Sequence, residues 1–177
     1  MEKIKMNLQL FAEAVQGKQI IYLFRVLKNA ATKAGTAMAF VTENTRSKSK
    51  DSETTVTKDG ALRTPGASET EITATALLAV GDTMADELEE AMDADELIEI
   101  WEVNLAEPVA DADNQFKGRY YQGYLTEFEL TSSSEEAAEY STTFGINGVG
   151  VKGNVTVSVE QQEVAAYVFA DTNKTGA

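Results

Sequence analysis

Strict alternation between apolar and polar residues recurs along this chain and favours a fold made mainly of β-strands. In residues 69–80, 139–146 and 149–159 apolar side chains recur at most of the alternate positions, with Thr70, Thr142 and Gly153 as the exceptions. Because successive side chains of a strand point to opposite faces, each segment is predicted to turn one face to a core and the other to polar surroundings. Segment 20–27 is apolar almost throughout, which is typical of a strand buried on both faces, with a short helix as the alternative.

Three more segments are predicted to be strands, at residues 37–43, 97–105 and 116–131. The last is long and contains Gly118 and Gly123, where bulges or bends are expected. Asn147-Gly148 separates two alternating segments. This dipeptide predicts a hairpin there, because the favoured two-residue hairpin turn needs positive φ at both positions.

One amphipathic helix is predicted over residues 83–95. Thr83-Met-Ala-Asp86 fits the capping-box pattern at its start. An apolar stripe follows on one face, and the opposite face is acidic. The acidic face is interpreted either as a solvated surface or as a patch that meets a partner, with these candidate residues: Glu89, Glu90, Asp93, Asp95 and Glu96.

Residues 44–66 are rich in hydroxyl and basic side chains and almost free of apolar ones, which predicts a long loop. Loops of this length inside compact domains are uncommon and usually functional or disordered. Asp59-Gly60 predicts a small hairpin within it, with 55–57 and 61–63 as its arms.

The charges are sorted along the chain, whose formal net charge is −14. Residues 1–63 carry eleven basic and six acidic residues, 64–116 carry fifteen acidic and none basic, and 117–177 carry four basic and eight acidic. Copies of such a chain repel one another in random orientations but attract when a basic end meets an acidic face. Self-assembly is therefore a hypothesis from charge alone, and binding of nucleic acid by charge neutralisation is disfavoured.

Composition also argues against several classes of function. The chain has no His and no Cys, so thiol chemistry and the commonest metal ligand are absent, and no catalytic residue, metal site or cofactor is predicted. Gly148-Val-Gly150-Val-Lys-Gly153 matches the dinucleotide-binding fingerprint, but an alternating strand follows where that motif needs a helix. No apolar run reaches the roughly 18 residues of a spanning helix, so no membrane is expected as a partner.

Several short segments, taken in order, resemble a known family. Met6-Asn-Leu-Gln-Leu-Phe-Ala12 resembles the opening of structural proteins from phages of Gram-positive bacteria. The segments that follow resemble the major tail proteins (tail tube proteins) of long non-contractile phage tails: Thr42-Glu-Asn, Ser47-Lys-Ser-Lys, Thr57-Lys-Asp-Gly60, Arg63-Thr-Pro-Gly66, Gly118-Arg-Tyr-Tyr-Gln-Gly-Tyr124, Ser141-Thr-Thr-Phe-Gly-Ile-Asn-Gly148 and Tyr167-Val-Phe.

The resemblance implies a single domain over residues 1–177, a β-sandwich of two roughly orthogonal antiparallel sheets with one flanking α-helix. The residues at the two ends are themselves interpreted as an N-terminal arm at 1–18 and a C-terminal tail at 171–177. In such proteins the inner sheets of six copies join into a hexameric β-barrel, and the rings stack. The loop 44–66 would then contact the adjacent ring, with these residues at the contact: Arg46, Lys48, Lys50, Lys58, Asp59, Gly60 and Arg63.

The polar faces of the alternating segments supply the candidates for a barrel lumen: Glu71, Thr73, Thr75, Glu127, Glu129, Glu139, Ser141 and Thr143. An acidic lumen would let genomic DNA pass without specific binding. The resemblance further implies a structural virion protein of the tail tube, assembled in the host cytoplasm with tape measure and tail-end proteins as partners. The alternatives from other classes are a monomeric acidic binding protein, such as a DNA mimic acting on a basic partner, and an enzyme using carboxylates.

Overall fold

The computed structural model describes residues 14–165, and antiparallel β-strands make up most of them. The strands are β1 Ile20–Val26, β2 Val41–Thr57, β3 Gly60–Leu77, β4 Ile98–Pro108, β5 Gln115–Thr131, β6 Glu139–Ile146 and β7 Val151–Thr156. The helices are α1 Met84–Asp93 and α2 Val159–Ala165, with short 3₁₀ turns at Gly17–Gln19 and Leu27–Asn29. The mainly β class predicted from alternation is confirmed.

The strands follow one hydrogen-bonded path, β1-β4-β5-β6-β3-β2, and β7 pairs with β5. The long strand β5 belongs to two layers. Its first part pairs with β4 and β7, and its second part pairs with β6. Two strands separate β1 from β6 along the path, yet the rings of Phe24 and Phe144 stack with their centroids 5.2 Å apart. The path therefore folds over on itself into a β-sandwich whose layers share β5.

The main core lies between these two layers and is closed by α1. It draws on β1, β4 and β5 from one layer and on β3 and β6 from the other, and Leu88 and Ala91 of α1 are buried in it. A smaller cluster of Leu23, Val103 and Val157 lies apart from the main core. Strand β1 contributes consecutive buried residues to both clusters, as predicted for a strand buried on both faces.

The segment predicted as a loop, 44–66, is instead most of a long antiparallel hairpin. Strands β2 and β3 remain paired as far as Thr57 and Gly60, with register shifts between Val41 and Glu43 and between Lys50 and Ser52, and Lys58 and Asp59 form the turn. The small hairpin predicted around Asp59-Gly60 is confirmed as the tip of this larger one. The loop prediction is wrong because neither face of the outer hairpin is buried, so its strands carry no apolar periodicity.

The hairpin predicted at Asn147-Gly148 is also wrong. Strand β7 does not pair with β6, because both strands pair with β5 along the same edge, Ile146 opposite Gly123 and Val151 opposite Tyr120. The four residues between them bulge outward, with φ of 75° at Gly148 and 73° at Gly150. With these two glycines the chain leaves the edge of β5 after β6 and returns to the same edge as β7, and it does not reverse direction as in a hairpin.

Smaller corrections concern the ends of elements. Residues 37–40 are not part of a strand, and β2 begins at Val41. The cap of α1 comes from Asp82, whose Oδ1 accepts the Met84 N–H at 2.9 Å, and Thr83 donates to Glu87 instead of capping the backbone. The bulge of β5 lies between Leu125 and Glu127 and not at its glycines. The segment 149–159, predicted as one strand, is β7 only from Val151 to Thr156, and Val159 begins α2.

Glycines 118 and 123 serve a different purpose from the predicted bends. A Cβ at Gly118 would lie 2.6 Å from the carbonyl oxygen of Glu102, and one at Gly123 would lie 2.4 Å from that of Gly145. Both positions of β5 thus let a neighbouring backbone approach too closely for any side chain. The arm predicted at 1–18 falls mainly outside the described residues, and the tail at 171–177 falls wholly outside them.

Burial of Tyr140 gives the fold a dependence on alkaline pH. Burial raises the pKa of its hydroxyl from 10.0 to about 12, and the charge of Asp82 adds to the rise. The folded state holds this proton longer than the unfolded chain, so the contribution is present below pH 10 and is lost as the pH rises through about 12. We expect Tyr140→Phe to lose less stability than the parent between pH 9 and pH 11, measured by urea unfolding. An equal loss in both proteins would contradict this assignment.

Candidate assembly surfaces

The second layer of the sandwich presents one continuous polar face. Register places the predicted lumen residues side by side: Thr75 lies opposite Ser141, which lies opposite Glu129, and Thr73 lies opposite Thr143, which lies opposite Glu127. Glu71 and Glu139 continue the same face at its two ends. All eight candidates therefore share one face, as alternation predicts, because directly opposed residues of antiparallel strands point the same way.

Strand β2 adds residues to this face that were not among the candidates. Glu43 lies opposite Thr75, Thr45 opposite Thr73, and Glu69 lies opposite Ser49. With the four predicted carboxylates the face carries six, and no Lys or Arg stands at its paired positions. The basic residues of β2 alternate with these and point to the other side. The sequence signal for these residues is the period of two within 43–49, where the basic side chains stand only at even-numbered positions and Glu43 and Thr45 stand at odd-numbered ones.

Two edges of this four-stranded layer have no strand partner within residues 14–165. One is the outer edge of β2, which pairs only with β3. The other is β5 from Tyr124 to Thr131, beyond the last residue that pairs with β4, Gly123. Each of the three ladders in the β2-β3-β6-β5 order is antiparallel. The two open edges consequently run in opposite directions.

The outer part of the β2–β3 hairpin, residues 51–67, projects from the body as a two-stranded ribbon. All of its residues are exposed. About eight residues on each strand at roughly 3.3 Å each give a reach of about 25 Å. Of the predicted contact residues, Lys58, Asp59, Gly60 and Arg63 lie on this ribbon, and Lys48 and Lys50 are exposed just below it.

Arg46 differs from the other predicted contact residues because its side chain is bound to the domain body. Its Nε donates to Glu102 Oε2 at 2.5 Å, and the same oxygen accepts the Tyr22 hydroxyl at 3.0 Å. These contacts join β2 to β4 and β1 of the other layer. Burial lowers the pKa of Arg46, but the hydrogen bond and charge of Glu102 outweigh it and raise that pKa overall. Burial, followed by the charge of Glu102, raises the pKa of Tyr22. We call this group the Arg46–Glu102 clamp.

Breaking the Arg46–Glu102 clamp is expected to destabilise the domain. Arg46→Met leaves the half-buried Glu102 carboxylate with one hydrogen-bond donor fewer, at a cost of about 2 kcal/mol. For a chain of this size that lowers Tm by about 4–8 °C. Lys28→Met is the matched control: it breaks the 2.6 Å Lys28–Glu96 pair, whose lysine is 56 % exposed, and should cost under about 1 kcal/mol. If thermal unfolding gives equal decreases in Tm for both variants, the clamp contributes no more to stability than an exposed ion pair does.

The acidic helix face is largely exposed. Glu89, Glu90, Asp93 and Asp95 are open to solvent, whereas Glu96 is half-buried and paired with Lys28. A second pair, Lys33 with Glu87 at 2.5 Å, ties α1 to the segment after β1 and was not predicted. Four of the five candidate acids therefore remain available to a partner. Neither helix of the described chain combines the length and the apolar character that crossing a bilayer requires.

Comparison with known proteins bears on these surfaces. Residues 14–152 match the family of phage tail tube proteins. A tail protein of Staphylococcus phage phiMR25 is 35% identical over 161 residues, which cover 89% of this chain and 82% of that protein.

Solved structures share the fold. The tail tube protein of SPP1 superposes with a TM-score of 0.71 at 19% identity, covering 93% of this chain and 95% of that one. The tail of a gene transfer agent particle, refined with C6 symmetry, superposes with a TM-score of 0.57 at 13% identity, covering 78% of this chain and 98% of that one. A chain of the sheath-tube complex of an extracellular contractile injection system superposes with a TM-score of 0.54 at 15% identity, covering 82% of this chain and 95% of that one. With the matched family spanning most of the sandwich, the chain belongs to the phage tail tube proteins and is a structural tail component, not an enzyme.

Proposed function

We propose that this protein forms hexameric rings that stack into the tail tube and enclose a conduit for DNA. The observation that carries the proposal is the four-stranded layer β2-β3-β6-β5 with its two open edges. Open edges attract further strands, and closure into a barrel removes them. Because the edges of β2 and β5 run in opposite directions, β2 of one copy can join β5 of the next and keep every ladder antiparallel.

Six copies would contribute four strands each to one closed barrel of 24. The gene transfer agent tail, which shares this fold, has C6 symmetry, and that supports six. Barrels of 16 or more strands leave an open channel, so a barrel of this size has room for a passage.

The polar face of the layer would line that passage. It carries the six carboxylates on the strands and no paired basic residue, while the opposite face packs on the core. Binding of DNA draws its affinity from Lys and Arg that displace counterions from phosphates. A wall without such groups lets DNA pass without specific attachment. The helix α1 packs on the core side of the layer, so its acids face away from the passage.

Rings would stack through the ribbon, which projects about 25 Å from the body of its own copy. The product is the tube of the virion tail, assembled in the host cytoplasm, with tape measure and tail-end proteins as further partners. The exposed acids of α1 would either keep the outer surface soluble or meet such partners.

Sedimentation of the purified protein at low and high concentration, with negative-stain microscopy of the same samples, tests the proposal. We expect slow monomers at low concentration and rings or tubes at high concentration. Monomers at every concentration and salt would contradict the proposal and would favour the monomeric acidic binding protein instead.

A further inference from the structure

One end of the sandwich has a group of apolar side chains that residues 14–165 leave exposed. We call it the apolar end, and its members are Phe40, Val41, Leu78, Val80 and Leu130. Val41, Ala76, Tyr140 and Leu130 form one cross-strand row over β2, β3, β6 and β5. The inner two residues of this row are buried, and the outer two are exposed by 37% and 55%. Phe40 and Leu78 extend β2 and β3 beyond the row, through hydrogen bonds from Leu77 to Phe40 and from Leu78 to Ala138.

The backbone of Phe40 is strained in a way that favours a role for its side chain. Its φ is 46°, in the left-handed region that bulky residues rarely adopt, and its side chain is 69% exposed. Strain of this kind persists at binding surfaces more often than elsewhere. Asn or Gly would fit the same backbone at lower cost, so nothing in the part of the chain that the structure describes requires a phenylalanine here.

The apolar end and the ribbon tip lie at opposite ends of the same hairpin. Strand β2 runs 17 residues from Val41 to the turn, about 55 Å at roughly 3.3 Å per residue. The tip exposes two large apolar side chains, Val56 by 82% and Leu62 by 61%. A contact between two different ends of identical molecules does not close on itself and propagates as a filament.

The ribbon tip and the apolar end also carry charges of opposite sign. Residues 57–64 at the tip carry Lys58, Asp59 and Arg63, a net charge of +1. The loop that borders the apolar end carries Glu135 and Glu136, and Glu139 follows at the start of β6. Because the two ends carry charges of opposite sign, contact of a tip with an apolar end is favoured over contact between two tips or between two apolar ends.

We propose that the apolar end is the docking site for the ribbon tip of a second copy of this chain in the adjoining ring. The inference rests on the proposed stacking of rings and assigns the surface that receives the ribbon. Val56 packs against Phe40, Leu78 and Val80 of the receiving copy, and the acids beside them face Lys58 and Arg63. Arg63 lies on the same face of the ribbon as Val56, because Val56 is opposite Ala61, whereas Leu62 lies on the other face.

The first test removes the apolar end without weakening the fold. The variant combines Phe40→Asn, which reduces the backbone strain at residue 40, with Val80→Ser, which changes a fully exposed side chain. Each side chain lost from the contact should raise the concentration needed for tube growth about tenfold, so the pair raises it about a hundredfold. Val149→Ser with Val151→Ser removes two similarly exposed side chains elsewhere and should leave that concentration unchanged. Equal effects of the two pairs would overturn the proposal.

The second test uses the absence of cysteine from the chain, which leaves no background for thiol cross-linking. Tubes of a Val56→Cys, Val80→Cys protein treated with a short thiol-reactive cross-linker should yield a ladder of covalent oligomers, because each copy carries one tip and one receiving end. Val56→Cys paired with Val149→Cys should yield no ladder. Tubes that form normally but give no ladder with the first protein would overturn the docking site alone, whereas a parent that forms no tubes would overturn the proposed function.

Discussion

A chain in which the dipeptide Asn-Gly replaces residues 51–67 is expected to fold stably and to form no tubes. Lys50 and Ser68 are register partners, so a two-residue turn can connect them. The residues removed are all exposed and contribute no side chain to the core. The far-ultraviolet spectrum per remaining residue and the cooperative unfolding transition should therefore survive, while sedimentation and microscopy should show nothing larger than single rings.

A charge-reversed chain controls for the loss of the ribbon itself. Changing Lys48, Lys50 and Lys58 to Glu keeps the ribbon but reverses the charge of three exposed basic side chains, one on the ribbon and two just below it. Stacking should fail at low salt and recover in part near 1 M salt, where screening acts over roughly 3 Å. Tubes of normal length from the shortened chain would refute a stacking role for the ribbon, and normal tubes from the reversed chain at low salt would refute its electrostatic part.

The second large effect is expected at Gly150. A Cβ there would lie 2.3 Å from the ring of Tyr121, which is buried in the main core and 1% exposed. Gly150→Ala therefore adds a steric clash to the cost of a positive φ, and we expect a loss of about 3 kcal/mol of unfolding free energy.

Gly148 supplies the matched control for this prediction. Its φ of 75° is nearly the same, but a Cβ there meets no atom within 4 Å. Gly148→Ala should cost only about 1 kcal/mol, the cost of the backbone conformation alone. Urea unfolding of the two variants measures the difference. Similar losses of unfolding free energy in the two variants would contradict the prediction, because the Tyr121 ring would then move aside at little cost.

Local patterns predicted the parts of this molecule whose causes are local. The eight candidate residues of the polar face all lie on it, because alternation of period two depends only on neighbours in sequence. Helix α1 begins and ends within two residues of its predicted bounds for the same reason. The choice of Asp82 over Thr83 as the cap is a matter of a single residue, which the capping pattern does not resolve.

Pairing and exposure were harder to predict. Strand β7 pairs with β5, some thirty residues away in the chain, and no local pattern distinguishes that partner from β6. The ribbon was predicted as a loop because strands with two exposed faces need no apolar periodicity. The Arg46–Glu102 clamp joins residues 56 positions apart, and only the folded path over β2 and β4 brings them together.

The sharing of β5 between the two layers has a mechanical consequence for a wall built from this fold. Where two sheets meet only through packed side chains, a shearing force can slide one across the other. Here the strand of Gln115–Thr131 crosses from one layer to the other without a break. A load that bends the wall is thus carried from one layer to the other by the covalent backbone of β5, so the two layers resist being pulled apart.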